Sequence, residues 1–250
     1  VEGIKEEGGP LYNWPMSLVE KACNNLQKSQ DGADGEHFFP LSPASKQDFK
    51  SVLVDKVLPL VLAFAMLSGL FIVGVPSVGK TPWCCALAMA IGRLHERVHQ
   101  LRRRPGWRRG KQFDVFRQKP GEVQEAILLD DPSFDKIGVE DLMSFLDLGF
   151  QGHSDARYTP PKWAKNQWRS IMCNLWNRKA EPPASEDMHI SYAAFEKMLW
   201  PIIGHMALDH RLAFFKRSVT VIVGVHALYC LLYTSPSPRD LSTSRMPSSA

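Results

Sequence analysis

Along this chain, short uninterrupted apolar runs alternate with longer stretches in which apolar positions recur at helical spacing. Leu70-Phe71-Ile72-Val73 and Ala126-Ile127-Leu128-Leu129 are runs of the first kind; Arg169–Asn174 reads as another strand, ending in a polar residue, and Val219–Val223 as a last, β-branched one. A strand that is apolar at nearly every residue is one covered on both faces, as inside a parallel sheet. Between the runs, Ala86–Ile91 opens a helix that continues to about His99. Val139–Leu148 is amphipathic and helical, and Tyr192–Met206 is helical with a break at Pro201. Nearer the start, Ser42-Pro43 offers an N-cap and a first-turn proline to a helix carrying Phe49, Val52, Leu53 and Val57. Pro59 begins a second helix that ends near Ser68-Gly69. Strands alternating with helices predict an α/β fold, a parallel sheet flanked by helices through right-handed crossovers.

The first apolar run leads into Gly74-Val75-Pro76-Ser77-Val78-Gly79-Lys80-Thr81, which fits the phosphate-binding pattern G-x-x-x-x-G-K-[ST]. Context matters more than the string, and here a strand enters the loop while a helix leaves it. Glycines let backbone N–H groups turn inward around phosphate oxygens, and the helix N-terminus adds partial positive charge. In such a site Lys80 reaches the β- and γ-phosphates and Thr81 offers its hydroxyl to Mg²⁺. Pro82 strains the fit, because it disfavours a helical residue before it, although proline is tolerated in a first turn.

Ligands of open α/β sheets sit at the carboxyl ends of the strands, and two further strands end in polar residues. Asp130 and Asp131 follow the run 126–129 and precede Pro132. One carboxylate there can hold Mg²⁺ through its water shell, and a second can orient or deprotonate an attacking water. Asn174 ends the next strand, where its amide can bond a γ-phosphate or the lytic water; Asn177 is a rival for that role. Arg217 precedes the last strand, placed to cross a subunit boundary and neutralise a neighbour's γ-phosphate, with Arg211 the lesser candidate.

Gly74–Thr81, Asp130-Asp131, the stretch Arg157–Lys165 and Asn174 resemble motifs A, B, B-prime and C of the superfamily 3 helicases. These are hexameric AAA+ ATPases used by small DNA and RNA viruses and related mobile elements to replicate genomes. The resemblance covers about residues 45–225. It implies an AAA+-like P-loop NTPase with ATP and Mg²⁺ as cofactors, a homo-oligomeric ring, and single-stranded DNA or RNA in its pore. It also implies a β-hairpin over Asp155–Lys165, in which Arg157, Lys162 and Lys165 would contact phosphate while aromatics stack on bases. Motif B departs from the family, with Asp-Asp-Pro in place of Asp-Glu, so Asp131 is less firmly placed than Asp130. Two alternatives stay open: an AAA+ protein remodeller gripping polypeptide with Tyr158 or Trp163, and a switch-type NTPase that does no pore work.

Composition changes this picture little. The net charge of +4 does not by itself imply nucleic acid, but eight Arg or Lys against Glu96 alone lie between Arg93 and Lys111. Such a run can attract phosphate backbone, and a solvated loop accounts for it as well. Cys23, Cys84, Cys85 and Cys173 form no C-x-x-C pair, which suggests neither zinc nor disulfides and fits a reducing, intracellular setting. Val57–Val78 carries no Asp, Glu, Lys or Arg, yet Pro59, Ser68-Gly69 and the loop interrupt it, so no membrane span is expected. The chain divides into an N-terminal extension (1–44, partly irregular and partly helical), an ATPase-like domain (45–229) and a terminal piece (230–250). Cys230–Asp240 and Ser244–Ala250 resemble translated sequencing adaptor, so that piece is expected to be read-through, disordered and outside the fold.

Overall fold

The computed structural model describes residues 15, 18, 54–55, 58–64, 67–102, 105–117, 121–154, 160–183, 189–231 and 243–247. A short helix α1 (Leu58–Phe64) leads to strand β1 (Gly69–Gly74) and the long helix α2 (Lys80–His99). Next come β2 (Gly106–Gly110), β3 (Glu125–Asp130), α3 (Val139–Leu146), and the short strands β4 (Gly152–His153) and β5 (Lys162–Trp163). The chain continues through β6 (Arg169–Cys173), α4 (Tyr192–Ile203), α5 (Leu208–Lys216), β7 (Ser218–Val223), β8 (Ala227–Leu231) and β9 (Thr243–Pro247). The main sheet has the order β2-β3-β6-β1-β7-β8-β9. Its first five strands are parallel and the last two pairings are antiparallel. The helix expected from Ser42-Pro43 lies outside the described residues.

The apolar runs are buried on both faces, as their composition requires. In β1, Leu70 and Ile72 pack toward α2 with Trp83, Cys84, Leu87 and Ile91. Phe71 and Val73 pack on the opposite layer with Phe145 of α3, Phe195 and Ile202 of α4, and Phe214 of α5. Phe71 meets the Phe214 ring edge-on at 5.1 Å. Burying each such side chain contributes about 1.5–3 kcal/mol, so the two layers fix the sheet from both sides.

Several elements differ from the sequence expectation. β2 replaces what reads as the end of a basic turn: Gly-Trp-Arg-Arg-Gly carries no strand pattern, yet it pairs with β3 from Gly106↔Glu125 to Gly110↔Leu129. Helix α4 runs through Pro201 to Ile203. Lys197 and Pro201 are both exposed, so the carbonyl that loses its partner can face water. α5 and β8 are further elements that the sequence reading leaves out. Cys230 and Leu231, assigned above to read-through, are buried in β8, and the backbone of residues 243–247 pairs with it as an edge strand. The boundary at 229 therefore falls inside a strand whose Ala-Leu-Tyr-Cys-Leu sequence is itself apolar and sheet-forming.

β4 and β5 pair antiparallel between β3 and β6, with Gly152 opposite Trp163 and His153 opposite Lys162. The first arm thus precedes the hairpin expected over Asp155–Lys165, of which residues 155–159 lie outside the described residues. Trp163 is buried against Phe113, Phe116 and Phe145, at ring distances of 5.6, 6.1 and 5.2 Å. Its Nε1 donates to Ser154 Oγ at 3.0 Å. Trp163 therefore anchors the hairpin to the core and is not available to grip a substrate. Trp163→Ala should lower stability by about 3–5 kcal/mol in urea unfolding, whereas Lys162→Ala on the exposed side should change it by less than about 0.5 kcal/mol. Equal, small effects would show that the hairpin is not fastened in this way.

Candidate functional site

The loop after β1 is shaped by backbone conformation before any side chain acts. Gly74 has φ 136°, and a Cβ there would lie 2.0 Å from the Val223 carbonyl oxygen, so only glycine fits. The next N–H, of Val75, donates to that same oxygen at 2.9 Å, which fastens the loop to the tip of β7. Ser77 (φ 63°) and Gly79 (φ 84°) are also left-handed. Such alternation of hand can turn successive N–H groups to one side and create an anion-binding concavity. Helix α2 starts at Lys80 immediately afterwards, and Pro82 occupies its third position, where no intrahelical donor is required. The strain anticipated at Thr81-Pro82 is absorbed there.

Lys80 is buried, and its Nζ donates to Gly74 O at 3.1 Å, Val75 O at 2.7 Å and Asn174 Oδ1 at 2.8 Å. Burial lowers its pKa from the ordinary value, opposed by Cys173 and by the carboxylates of Asp131 and Asp130. Thr81 Oγ1 donates to Asp130 Oδ1 at 3.3 Å. Burial raises the pKa of Asp130, and Arg109, 3.8 Å away through Nη1, holds it down. Asp131 leaves β3 with φ 47° and donates its N–H to Met172 O at 2.8 Å. Its carboxylate accepts Asn174 N at 3.1 Å and Asn174 Nδ2 at 3.2 Å to both oxygens.

The topology makes this convergence possible. β6 lies between β1 and β3, so Asn174 stands between Lys80 on one side and Asp131 on the other. Its amide oxygen faces the cation and its amide nitrogen the anion, each group meeting the partner its chemistry requires. Asn177, the rival candidate, is held elsewhere, its N–H donating to Met198 O of α4 at 2.7 Å.

The described residues contain no cluster of three or more His, Cys, Asp or Glu able to hold a metal ion. A hydroxyl and a carboxylate in contact, Thr81 and Asp130, suit Mg²⁺, which keeps most of its waters or takes phosphate oxygens as ligands. They do not suit a zinc ion, which needs its own protein cage.

Other expected residues lie apart. Arg217 stands at the opposite, amino-terminal edge of the sheet, where its carbonyl accepts the Gly69 N–H at 3.0 Å. Its guanidinium bonds Asp147 Oδ2 through Nε at 3.2 Å and Ala213 O through Nη1 at 3.1 Å. It therefore serves no triphosphate held by its own loop. Arg211 pairs with Glu196 at 3.3 Å and covers the Trp200 ring. Lys162 and Lys165 are exposed, at the hairpin arm and just beyond it, while Arg157 and Tyr158 lie outside the described residues. Sequence reasoning missed Arg109, whose strand it did not foresee, and Asp147. The Asp147 backbone oxygen accepts Nη2 of Arg169 at 2.5 Å. Arg169 is fully buried, which brings its pKa down to about 9 against the pull of Asp147. Asp147 thus joins Arg169 and Arg217 at the amino edge.

No protein-family model matches this chain, and the search of curated proteins gives no match. Among the described residues no helix is long and apolar enough to cross a membrane. The fold is α/β with a mostly parallel sheet flanked by helices, compatible with a Rossmann-like or P-loop arrangement.

An anion bound at Lys80 favours the charged ammonium and raises the lowered pKa again. Affinity for a polyphosphate should thus fall as pH rises through that lowered value, below 10.5, and binding at alkaline pH should take up protons. Calorimetry in buffers of different ionisation enthalpy checks this. Heats that depend on the buffer at alkaline but not at neutral pH are expected, and buffer-independent heats throughout would remove Lys80 from the binding site.

Proposed function

We propose that this chain is a Mg²⁺-dependent ATPase of the AAA+ kind that assembles into a ring and moves along single-stranded nucleic acid. The observation that carries the reading is the meeting of three strand tips: Lys80 Nζ on Asn174 Oδ1 at 2.8 Å, Thr81 on Asp130, and Asn174 on Asp131. A loop of left-handed residues, a buried lysine, a hydroxyl–carboxylate pair and a polar reader between them form the set that a metal–triphosphate complex requires.

In this reading the loop N–H groups and Lys80 hold the phosphate chain, while Thr81 and Asp130 hold the cation. When bound, Mg²⁺ supplies neutralisation of the charge that develops on the phosphate oxygens. Asp131 takes the proton of the attacking water, and Asn174, bonded to Asp131 through both its amide and its backbone N–H, keeps that carboxylate aimed. The same amide oxygen senses whether Lys80 is engaged by phosphate. Arg217, on the far edge, faces a neighbouring protomer's nucleotide, which is why the reading requires a ring. Lys162 and Lys165, exposed on and beside a hairpin rooted in the core by Trp163, supply backbone contacts to the strand in the pore, together with Arg157. Genome replication for a virus or mobile element, in an intracellular setting, is the role that this resemblance suggests.

Two substitutions separate the parts. Lys80→Ala should lower ATP turnover by about 100-fold or more, as expected for loss of a preorganised charge at the reacting phosphate. Lys162→Ala should weaken single-strand binding and reduce the slope of log affinity against log salt by about 0.7. Retained turnover in the first variant would sink the ATPase reading. An unchanged salt slope in the second would take the hairpin out of strand binding and favour a polypeptide substrate.

A further inference from the structure

Strand β2 carries the part of the basic stretch that the proposed function leaves without a task. Its register with β3 sets Arg109 opposite Leu128, and Leu128 belongs to the layer packed on α2. Paired residues of a parallel sheet share a face, so Arg109 lies on the α2 side, the side from which Thr81 approaches Asp130. The two oxygens of Asp130 are consequently bracketed. Thr81 Oγ1 donates to Oδ1 at 3.3 Å and Arg109 Nη1 stands 3.8 Å from Oδ2.

The backbone of this strand end is closely packed, and the guanidinium lies partly exposed beside Asp130. A Cβ on Gly110 would meet Val115 and Phe116 at 3.1 Å, which shows how closely the strand packs on the 3₁₀ turn Phe113–Phe116. The Arg109 and Asp130 side chains keep 31% and 24% of their exposure, so the pair sits at the mouth of the site. At 3.8 Å the contact is an ion pair outside hydrogen-bonding distance. Lys111 follows on the same strand end, exposed and close enough to act electrostatically on Asp130. A carboxylate beside a hydroxyl, with a cation resting on its second oxygen, is a divalent-metal position already neutralised by the protein itself.

We propose that Arg109 is a resident counter-ion of Asp130 that releases this carboxylate to the divalent cation and takes an oxygen of the metal-borne phosphate chain in exchange. The release step stands on the geometry alone, and the phosphate step rests on the nucleotide reading above. A guanidinium and a divalent cation on one carboxylate repel each other. The planar fork of arginine stays charged and fits phosphate as well as it fits carboxylate. The nearest place for a phosphate chain is the loop Gly74–Gly79, which ends just before Lys80 and Thr81. The site would therefore hold an arginine of its own protomer, independent of Arg217.

The test uses the full chain with two probes, Mn²⁺ alone followed by its electron paramagnetic resonance signal, and a fluorescent ATP analogue with Mg²⁺. Arg109→Gln should bind free Mn²⁺ several-fold more tightly, because its competitor is gone, and should bind the Mg²⁺–nucleotide about ten-fold more weakly. Arg109→Lys, which keeps the charge, should restore most of the Mn²⁺ affinity to its wild-type value and only part of the nucleotide affinity. Opposite signs for the two probes support the exchange, since a merely structural loss weakens both. Unchanged or weakened Mn²⁺ binding in Arg109→Gln overturns it. If the wild type binds no nucleotide while the Mn²⁺ shift occurs, the nucleotide reading fails and the counter-ion role of Arg109 at Asp130 stands.

Discussion

A buried ammonium group organises the carboxyl edge of this sheet. Lys80 sits at the first position of α2 with little contact with water, and a cation in that position must find acceptors or lose its proton. It finds three, two loop carbonyls and the amide oxygen of Asn174. Those contacts tie together β1, the loop, α2 and the tip of β6. Asn174, committed on its oxygen side to Lys80, turns its nitrogen to Asp131 and so brings in β3. One charge placed under a glycine loop thus ties together the ends of three strands.

The sheet has a second charged edge, and its logic is different. At the amino ends of β6 and β7, Arg169 and Arg217 converge on Asp147, which also closes α3 and bridges to Ser68 before β1. Arg169 is wholly buried and its position is structural, whereas Arg217 keeps 37% of its side-chain exposure. Exposed ion pairs of this kind are worth little, about 0–1 kcal/mol. The Arg217–Asp147 contact therefore contributes little to stability by itself. The two edges thus differ: the carboxyl edge centres on a buried lysine, the amino edge on an aspartate shared by a buried and a half-exposed arginine.

What the chain reveals before folding depends on whether local sequence or tertiary partners decide each element. β1, β3, β6 and β7 are legible because burial on both faces forces a run such as Phe71-Ile72-Val73 or Val221-Ile222-Val223. The loop is legible because its backbone demands glycine at 74, where any Cβ would collide with Val223. β2 is not, because Trp107-Arg108-Arg109 becomes a strand only through pairing with β3 and through the ion pair of Arg108 with Glu125 at 3.1 Å. The charges that make it resemble a solvated loop are those its neighbours neutralise. α5 escapes for a related reason: Leu208, Asp209 and His210 are exposed and only Phe214 and Phe215 reach the core, so its helical period is faint. Trp163 reads as a free aromatic beside lysines until its ring partners, distant in sequence, come into contact with it.

The Asp-Asp-Pro ending of β3 shows how backbone conformation aims a carboxylate. Asp130, the residue before Asp131, closes the parallel pairing with β6 opposite Met172. Asp131 itself takes φ 47°, a left-handed conformation that aspartate tolerates better than most residues. Pro132 disfavours the right-handed helical region for the residue before it, which removes the most populated competitor. The turn delivers both carboxylate oxygens to Asn174 while the Asp131 N–H is satisfied by Met172 O. The proline is therefore part of how this acid reaches its partner. Asp131 and Asn174 are better understood as one unit, in which backbone hand sets where the carboxylate meets its donors.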